Sequence, residues 1–340
     1  MRPLSRKQFF GCAAVGLGAA LYSSLKWFTS GNPESERTLL EDGYRELPAL
    51  ISEVMTQFGI PGLSFALITA SGKVWSRGFG VRDSSTNAPV TTETSFQAGS
   101  LAKPVFARAV LTLAERRVLD LDQPLAPYLP DELIHKEPRL KLVTARMFLS
   151  HTSGALGQRF EYSSRGFQLM QMAVERLTGM SVARFVDSNV LEPCGMHNSS
   201  IGWTMTQWWR AAQGHFKNGE SRATRIRWEP SAAAGLLTTA GDYASFMQET
   251  LRSKREMLVP QVNIGDGLAW GLGWGLEADA FWHWGDQDIF KSFALMDTRS
   301  GTGVVILTNS ANGHHAYAPI VSRALGGEHP SLAWVQKQYQ

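Results

Sequence analysis

Residues 96–103 have the sequence Phe-Gln-Ala-Gly-Ser-Leu-Ala-Lys, which places Ser100 three positions before Lys103. Positions three apart on a helix share a face, with Cβ atoms about 5–6 Å apart, so the lysine amine can reach the serine oxygen. Gly99 can turn the chain, and residues 107–117 combine helical apolar spacing with good helix formers. We therefore predict a nucleophile beside a base in the first turn of a helix, where free N–H groups favour a developing anion. The same spacing is common at ordinary helix starts, so this interpretation needs support from the rest of the chain.

The composition is that of a globular protein, with 340 residues, 44% hydrophobic and 19% charged. The formal net charge of +3 arises from basic residues among the first thirty, and the remaining chain is close to neutral without a basic run. This distribution argues against nucleic acid as a partner. Only Cys194 remains if the N-terminal segment is removed, so we expect no intramolecular disulfide.

Residues 1–30 have the pattern of an export signal: a basic start, an apolar Ala/Gly-rich stretch over 9–25, and a polar run at 29–33. The apolar stretch is too short and too weakly apolar to predict a spanning helix. Residues 5–10 resemble a twin-arginine motif, with Lys7 in place of the second arginine, and no clean small-x-small cleavage site follows. We expect an exported protein, periplasmic or extracellular, that is either cleaved or tethered to the membrane by an uncleaved N-terminal segment.

The chain has strand patterns at both ends and helical patterns between them. A helical lead-in at 38–58 precedes a predicted hairpin over 62–94, and an amphipathic helix is predicted over 166–177. Further strands are predicted at 269–276, 281–285, 290–297 and 303–309, the last of them as a buried central strand.

This order predicts a mixed α/β (α+β) fold, with one sheet built from both chain ends and a helical region inserted between them. We predict a single domain over residues 31–330. Its sheet part comprises 31–99 and 260–330, and its helical part comprises 100–259. The seam between the two parts is a natural place for a cleft.

Two further motifs carry candidate chemistry. Tyr162, in Tyr-Ser-Ser, follows a glycine-bearing loop, and a neighbouring lysine ammonium can lower the pKa of such a phenol and let it act as a general base. A helix cap with a packed tyrosine would give the same pattern. His283, in His-Trp-Gly, begins a predicted strand, where Gly285 would let a ligand approach the backbone, although lone histidines are often structural. No HExxH or zinc-type Cys/His spacing occurs, so we predict no metal and no other cofactor.

In their order, Ser100-x-x-Lys103, Tyr162-Ser163-Ser164 and His283-Trp284-Gly285 resemble the serine hydrolase family of class C β-lactamases, D,D-peptidases and related esterases. The resemblance covers nearly the whole chain, with supporting stretches at 148–154, 193–196, 234–242 and 305–310. It implies a β-lactamase/transpeptidase-like fold with a mainly antiparallel sheet. It also implies that Ser100 attacks an ester or amide carbonyl with help from Lys103 and Tyr162, and that water releases the acyl-enzyme.

The same resemblance implies an oxyanion hole formed by the backbone N–H groups of Ser100 and Asp286, each worth about 3 kcal/mol. Two positions depart from the family pattern. Ser164 stands where the lactamases and peptidases usually carry asparagine, and His283 stands where they usually carry lysine. Because histidine is mostly neutral near pH 7, a fixed positive charge for a substrate carboxylate is missing. Both departures favour the esterase and small-amide branches over a dedicated lactamase.

Tryptophans are concentrated in the second half of the chain, and they could either pack in the core or wall a cleft for an apolar acyl group. We predict that Trp284 lines the site because it lies inside a motif. The whole pattern predicts a serine hydrolase that cleaves an ester or amide bond of a small acyl or peptide substrate. The alternatives are a D,D-peptidase or β-lactamase-like penicillin-binding enzyme, and a non-catalytic sensor or scaffold, against which the intact Ser100, Lys103 and Tyr162 argue. No residue is assigned to activate the deacylating water.

Overall fold

The computed structural model describes residues 44–222 and 229–339. The predicted export signal lies outside these residues, so export stays a prediction. None of the helices in the described ranges is long and apolar enough to cross a bilayer.

Strands and helices alternate in blocks along the described chain. The strands are β1 (Gly62–Ile68), β2 (Val74–Asp83), β3 (Ala88–Pro89), β4 (Phe96–Gln97), β5 (Ser200–Ile201), β6 (Gly214–His215), β7 (Ser221–Arg222), β8 (Leu236–Thr238), β9 (Val262–Gly265), β10 (Leu268–Trp270), β11 (Gly275–Glu277), β12 (Ala280–Asp286), β13 (Lys291–Asp297) and β14 (Gly303–Thr308). The α-helices are α1 (Leu47–Phe58), α2 (Ala102–Glu115), α3 (Asp131–Lys136), α4 (Ala145–Leu149), α5 (Ser164–Thr178), α6 (Val182–Val186), α7 (Met205–Arg210), α8 (Ala240–Ser253), α9 (Tyr317–Leu325) and α10 (Pro330–Gln336).

A nine-stranded antiparallel sheet joins the two ends of the chain, in the order β3-β2-β1-β14-β13-β12-β11-β10-β9. The first strand of the chain, β1, pairs directly with the last, β14, over six residues. This arrangement confirms the predicted fold class, a mainly antiparallel sheet from both chain ends flanked by helices. The predicted extent of a single domain over 31–330 stays a prediction.

Helices cover both faces of the sheet, which explains why β1 and β14 are buried along their whole length. Successive side chains of a strand point to opposite faces. Val305 and Leu307 accordingly pack in the core beneath α2, α5 and α8, whereas Val304 and Ile306 pack with α1 and α9 on the other face. The predicted buried central strand at 303–309 is thus confirmed.

The predicted single strand at 269–276 is wrong, because the chain there forms β10 and β11 joined by a tight turn. Gly273 in that turn has φ +86°, and a Cβ there would lie 2.7 Å from the Cβ of Ala107, since the turn packs onto α2. The edge strand β9 was not predicted. The predicted helix at 166–177 is confirmed as α5, which ends at Gly179 in the left-handed conformation typical of a helix C-cap.

Candidate active site

The turn that carries Ser100 lies against the end of β12. The sequence predicts Ser100 in the first turn of a helix. In the structure, residues Gly99–Leu101 form a 3-10 turn directly before α2, so Ser100 precedes the α-helix. Gly99 has φ +56°, and a Cβ at this position would lie 3.0 Å from the backbone nitrogen of Asp286. Glycine is therefore required both for the turn and for the close approach of the two segments.

Lys103 lies in the first turn of α2 and its side chain is fully buried. Its Nζ lies 2.8 Å from Ser100 Oγ, 3.3 Å from Ser164 Oγ and 2.8 Å from the Ala233 carbonyl oxygen. Burial lowers the pKa of Lys103 to about 7, because the charged form loses its hydration. A neutral amine has two N–H donors and one lone pair, so it can donate to Ala233 and Ser164 while accepting the proton of Ser100.

Tyr162 lies on the loop before α5, with its ring 5.0 Å from Lys103 Nζ. Its hydroxyl is buried and makes no hydrogen bond of ordinary geometry with any described residue. Burial raises the pKa of Tyr162 above its ordinary value, and the nearby Ser100 hydroxyl lowers it by less. Our expectation that the lysine lowers this pKa is therefore wrong, because exclusion of water from the phenol raises it. Tyr162 holds its proton in the free protein and is suited to donate it.

His151 was not among our predicted site residues, although it lies in the 148–154 stretch that supported the family resemblance. Its fully buried ring stacks on Tyr162, with ring centroids 4.3 Å apart, and its Nδ1 accepts a 2.9 Å hydrogen bond from the Ser163 N–H. Burial holds the pKa of His151 well below its ordinary value. The neutral ring therefore supports Tyr162 by contact, without charge.

Ser164 is exposed at the start of α5, and its hydroxyl contacts Lys103, so its predicted role in substrate binding stays a prediction. His283 is fully buried on β12, where Nδ1–H donates to the Trp284 carbonyl oxygen at 2.7 Å. Burial lowers the pKa of His283 to about 3, so the imidazole is neutral at pH 7. Its Nε2 is then a buried acceptor without a partner among the described residues.

Trp284 is only 6% exposed and lies between Tyr162 and Trp334, with ring centroids 4.8 Å and 5.1 Å away. The Trp284 ring therefore packs mainly against Tyr162, and little of its surface is open to solvent. A Cβ at Gly285 would lie 2.0 Å from the Ala98 carbonyl oxygen. The prediction that a ligand approaches the Gly285 backbone stays a prediction, because this contact concerns only the direction in which a side chain would point. In that direction, Gly285 makes room for the segment that leads into the Ser100 turn.

Asp286 ends β12, and its exposed carboxylate pairs with Lys291. A cleft of about 400 Å³ opens beside it. The lining mixes aromatic, aliphatic and charged side chains, among them Gln97, Trp203, Arg222, Gln287 and Phe290. Within the described ranges, no three His, Cys, Asp or Glu side chains converge in a way that could hold a metal ion.

Comparison with known proteins agrees with this geometry. A family model described as Beta-lactamase matches residues 47–325. Protein flp of Staphylococcus aureus (strain N315) is 23% identical over 320 residues, which cover 80% of this chain and 64% of that protein, so the chain spans less than two thirds of that relative's length. Penicillin-binding protein 4 of Amycolatopsis lactamdurans is 26% identical over 330 residues, covering 80% of this chain and 86% of that protein.

Solved structures share the fold. The octameric penicillin-binding protein homologue from Pyrococcus abyssi superposes with a TM-score of 0.74 at 22% identity, covering 86% of this chain and 80% of that one. The D-alanine carboxypeptidase AmpC from Burkholderia cenocepacia gives a TM-score of 0.74 at 18% identity, covering 84% of this chain and 99% of that one. Since the family match spans all three motifs and most of the sheet, this chain belongs to the Beta-lactamase family of serine hydrolases.

Proposed function

We propose that this chain hydrolyses an ester or amide bond of a small acyl or peptide substrate through an acyl-enzyme on Ser100. The observation that carries the proposal is the 2.8 Å contact between Lys103 Nζ and Ser100 Oγ, made by a fully buried lysine whose pKa is lowered to about 7. A base with a pKa near the working pH combines a useful neutral fraction with a useful proton affinity.

In acylation, the neutral Lys103 amine takes the Ser100 proton while Oγ bonds to the substrate carbonyl carbon and the carbonyl oxygen becomes an oxyanion. The backbone N–H groups of Ser100 and Asp286 are suited to stabilise that oxyanion, each by about 3 kcal/mol. Tyr162 then donates its hydroxyl proton to the leaving oxygen or nitrogen as that bond breaks, and Lys103 returns a proton to the phenolate. Amine, phenol and leaving group are then all neutral.

In deacylation, water takes the place of the leaving group and the same proton transfers run in reverse. The attacking water loses its proton to the Tyr162–Lys103 pair, and Ser100 Oγ regains one as the acid product leaves. In this proposal the Tyr162–Lys103 pair is therefore the base that activates the water.

The surroundings of His283 favour an ester or small amide over a β-lactam. His283 is neutral at pH 7, and the nearby Lys291 is already paired with the Asp286 carboxylate. Neither supplies a free positive charge for a substrate carboxylate. Hydrolysis of β-lactams at ordinary enzyme rates would contradict this preference.

A D,D-peptidase or penicillin-binding enzyme is the second candidate, supported by the 26% identity to a relative named Penicillin-binding protein 4. Such an enzyme would form a lasting penicillin adduct on Ser100. A non-catalytic scaffold is not supported, because the chain belongs to a hydrolase family and its Ser100–Lys103 contact is intact.

Intact-protein mass spectrometry tests the proposal after exposure to a fluorophosphonate, a penicillin and a short p-nitrophenyl ester, with ester turnover followed in parallel. We expect a fluorophosphonate adduct and ester turnover that are both lost in Ser100→Ala. Both should persist in the matched control Ser52→Ala, at an exposed serine of α1. A stable penicillin adduct would favour the second candidate. The absence of both labelling and turnover at Ser100 would overturn the proposal.

A further inference from the structure

The segment of residues 330–339 follows the part of the chain matched by the family model and packs against the candidate site. It consists of α10 and a 3-10 turn at Lys337–Tyr339. We propose that this segment positions the two groups that assist Ser100. Trp334 holds Tyr162 through Trp284, and Tyr339 holds Asp286 through Lys291. The inference builds on the proposed function, because Tyr162 and Asp286 act in catalysis only if Ser100 is acylated.

The start of the segment is fixed to the sheet by polar contacts. The backbone N–H of Ser331 donates to a carboxylate oxygen of the buried Glu277 on β11 at 3.0 Å, and His329 Nδ1 contacts the other oxygen. Lys337 pairs with Asp266 at 3.1 Å near the other end. The segment is therefore held at both ends while its aromatic side chains reach the site.

The first contact series is aromatic and comprises Trp334, Trp284 and Tyr162. Trp334 meets Trp284 edge to face at 5.1 Å, and Trp284 packs against Tyr162 at 4.8 Å. The Tyr162 hydroxyl makes no hydrogen bond of ordinary geometry with any described residue, so ring contacts are the main constraint on its orientation. Loss of the Trp334 ring would leave Trp284 free to tilt away from Tyr162.

The second contact series is polar and comprises Tyr339, Lys291 and Asp286. Lys291 is buried on β13, with its ammonium 5.1 Å above the Tyr339 ring and hydrogen-bonded to the Asp286 carboxylate. A cation over an aromatic face is attracted to it. Because the Asp286 backbone nitrogen lies beside the Ser100 turn, displacement of Lys291 would shift a proposed oxyanion donor.

The two series predict different kinetic losses on two esters with the same acyl group, one a p-nitrophenyl ester and one an alkyl ester. Trp334→Ala should lower kcat/KM by about tenfold on the alkyl ester and about threefold on the p-nitrophenyl ester, since a poor leaving group needs more proton donation during acylation. Tyr339→Leu should lower kcat/KM similarly on both esters, since both form the same oxyanion. KM should change little in either variant.

Conservative variants and matched controls separate positioning from general instability. Trp334→Phe and Tyr339→Phe keep a ring and should restore most of the lost kcat/KM. Trp209→Ala removes a tryptophan that is 58% exposed on α7, and Ala333→Ser changes an exposed residue within the segment. Both controls should behave like the unchanged protein.

Hydrogen exchange tests the positioning without catalysis. Amides of residues 160–163 should exchange faster in Trp334→Ala, and amides of residues 284–286 faster in Tyr339→Leu, while Trp209→Ala leaves both unchanged. Unchanged exchange in these segments, or equal loss of kcat/KM on both esters in Trp334→Ala, would overturn the inference. If the unchanged protein takes no Ser100 label, the proposed function fails, and hydrogen exchange still decides whether the segment holds the two groups.

Discussion

The turn at residues 99–103 and the loop at 160–164 belong to one site but are held in place by different forces. Ser100 and Lys103 contact each other across three residues of one turn, through a direct 2.8 Å contact. Tyr162 is oriented by rings outside its own loop, with the nearby His151 stacked on it at 4.3 Å and Trp284 of the distant strand β12 packed at 4.8 Å. The first arrangement is local and polar, and the second is tertiary and apolar. We therefore expect substitutions in the turn to abolish catalysis and substitutions around the loop to lower its rate.

The largest effect should come from Lys103→Met, which removes the base and keeps an unbranched buried side chain. We expect kcat/KM for a p-nitrophenyl ester to fall on the order of 10³-fold or more, in the range of general base catalysis. The protein should become more stable, because an unhydrated amine is replaced by an apolar group. Loss of activity together with a higher Tm at pH 7 is the expected result, and retained turnover would contradict the assignment of the base.

The gain in stability should depend on pH in a defined direction. The folded pKa of Lys103, about 7, lies below its ordinary value of 10.5. The unfolded chain therefore binds more protons between these values, and the native protein gains stability as pH rises from 7 toward 10.5. The advantage of Lys103→Met should be largest below pH 7 and shrink at higher pH, as chemical denaturation at several pH values would show.

Tyr162→Phe should have the next largest effect and tests the loop without disturbing its packing. It keeps the ring contacts and removes only a hydroxyl that has no hydrogen-bond partner among the described residues. We expect kcat to fall on the order of 10²-fold on an alkyl ester and less on a p-nitrophenyl ester, because only the former depends strongly on proton donation. Tm should stay the same or rise slightly, and a marked fall would show that the hydroxyl stabilises the fold.

The pH profile of kcat/KM should show a smaller effect, a rise by about tenfold between pH 6 and pH 8 as Lys103 loses its proton. The pKa of His283 is lowered to about 3, so His283 does not titrate in this range. The pKa of Tyr162 is raised above its ordinary value, so its titration should not lower activity below pH 10. A profile flat from pH 5 to 8 would contradict the lysine as the titrating base.

The smallest effect should come from His151→Phe, which keeps a ring beneath Tyr162 and loses the acceptor for the Ser163 N–H. We expect about a threefold fall in kcat and a loss of about 1 kcal/mol in the free energy of unfolding, typical of one hydrogen bond lost at a half-buried donor. Steady-state kinetics and urea unfolding would measure both. A loss of activity as large as that of Tyr162→Phe would show that the imidazole nitrogens act in the chemistry.

The local parts of the fold were predictable because their causes lie within a few residues. The hairpin after Gly62, the helix from Ser164 to Thr178 and the central strand at 303–308 follow from periodicity and turn residues. The prediction failed at 269–276, where two glycines and the packing of a turn onto α2 divide one apolar run into two strands. That packing partner lies far away in the sequence.

Spacing along the chain was sufficient to predict the Ser100–Lys103 pair, because residues three apart in a helical turn lie close together. Tyr162 and His283 were predicted from their short motifs and from the family resemblance that these motifs carry. The protonation states of these residues depended on the tertiary structure. Burial gives Lys103 a pKa of about 7 and keeps the proton on Tyr162, and burial depends on segments far apart in the chain. The same reason explains why Gly285 accommodates the protein's own backbone and why His151 and Trp334 emerged only when distant segments were packed together.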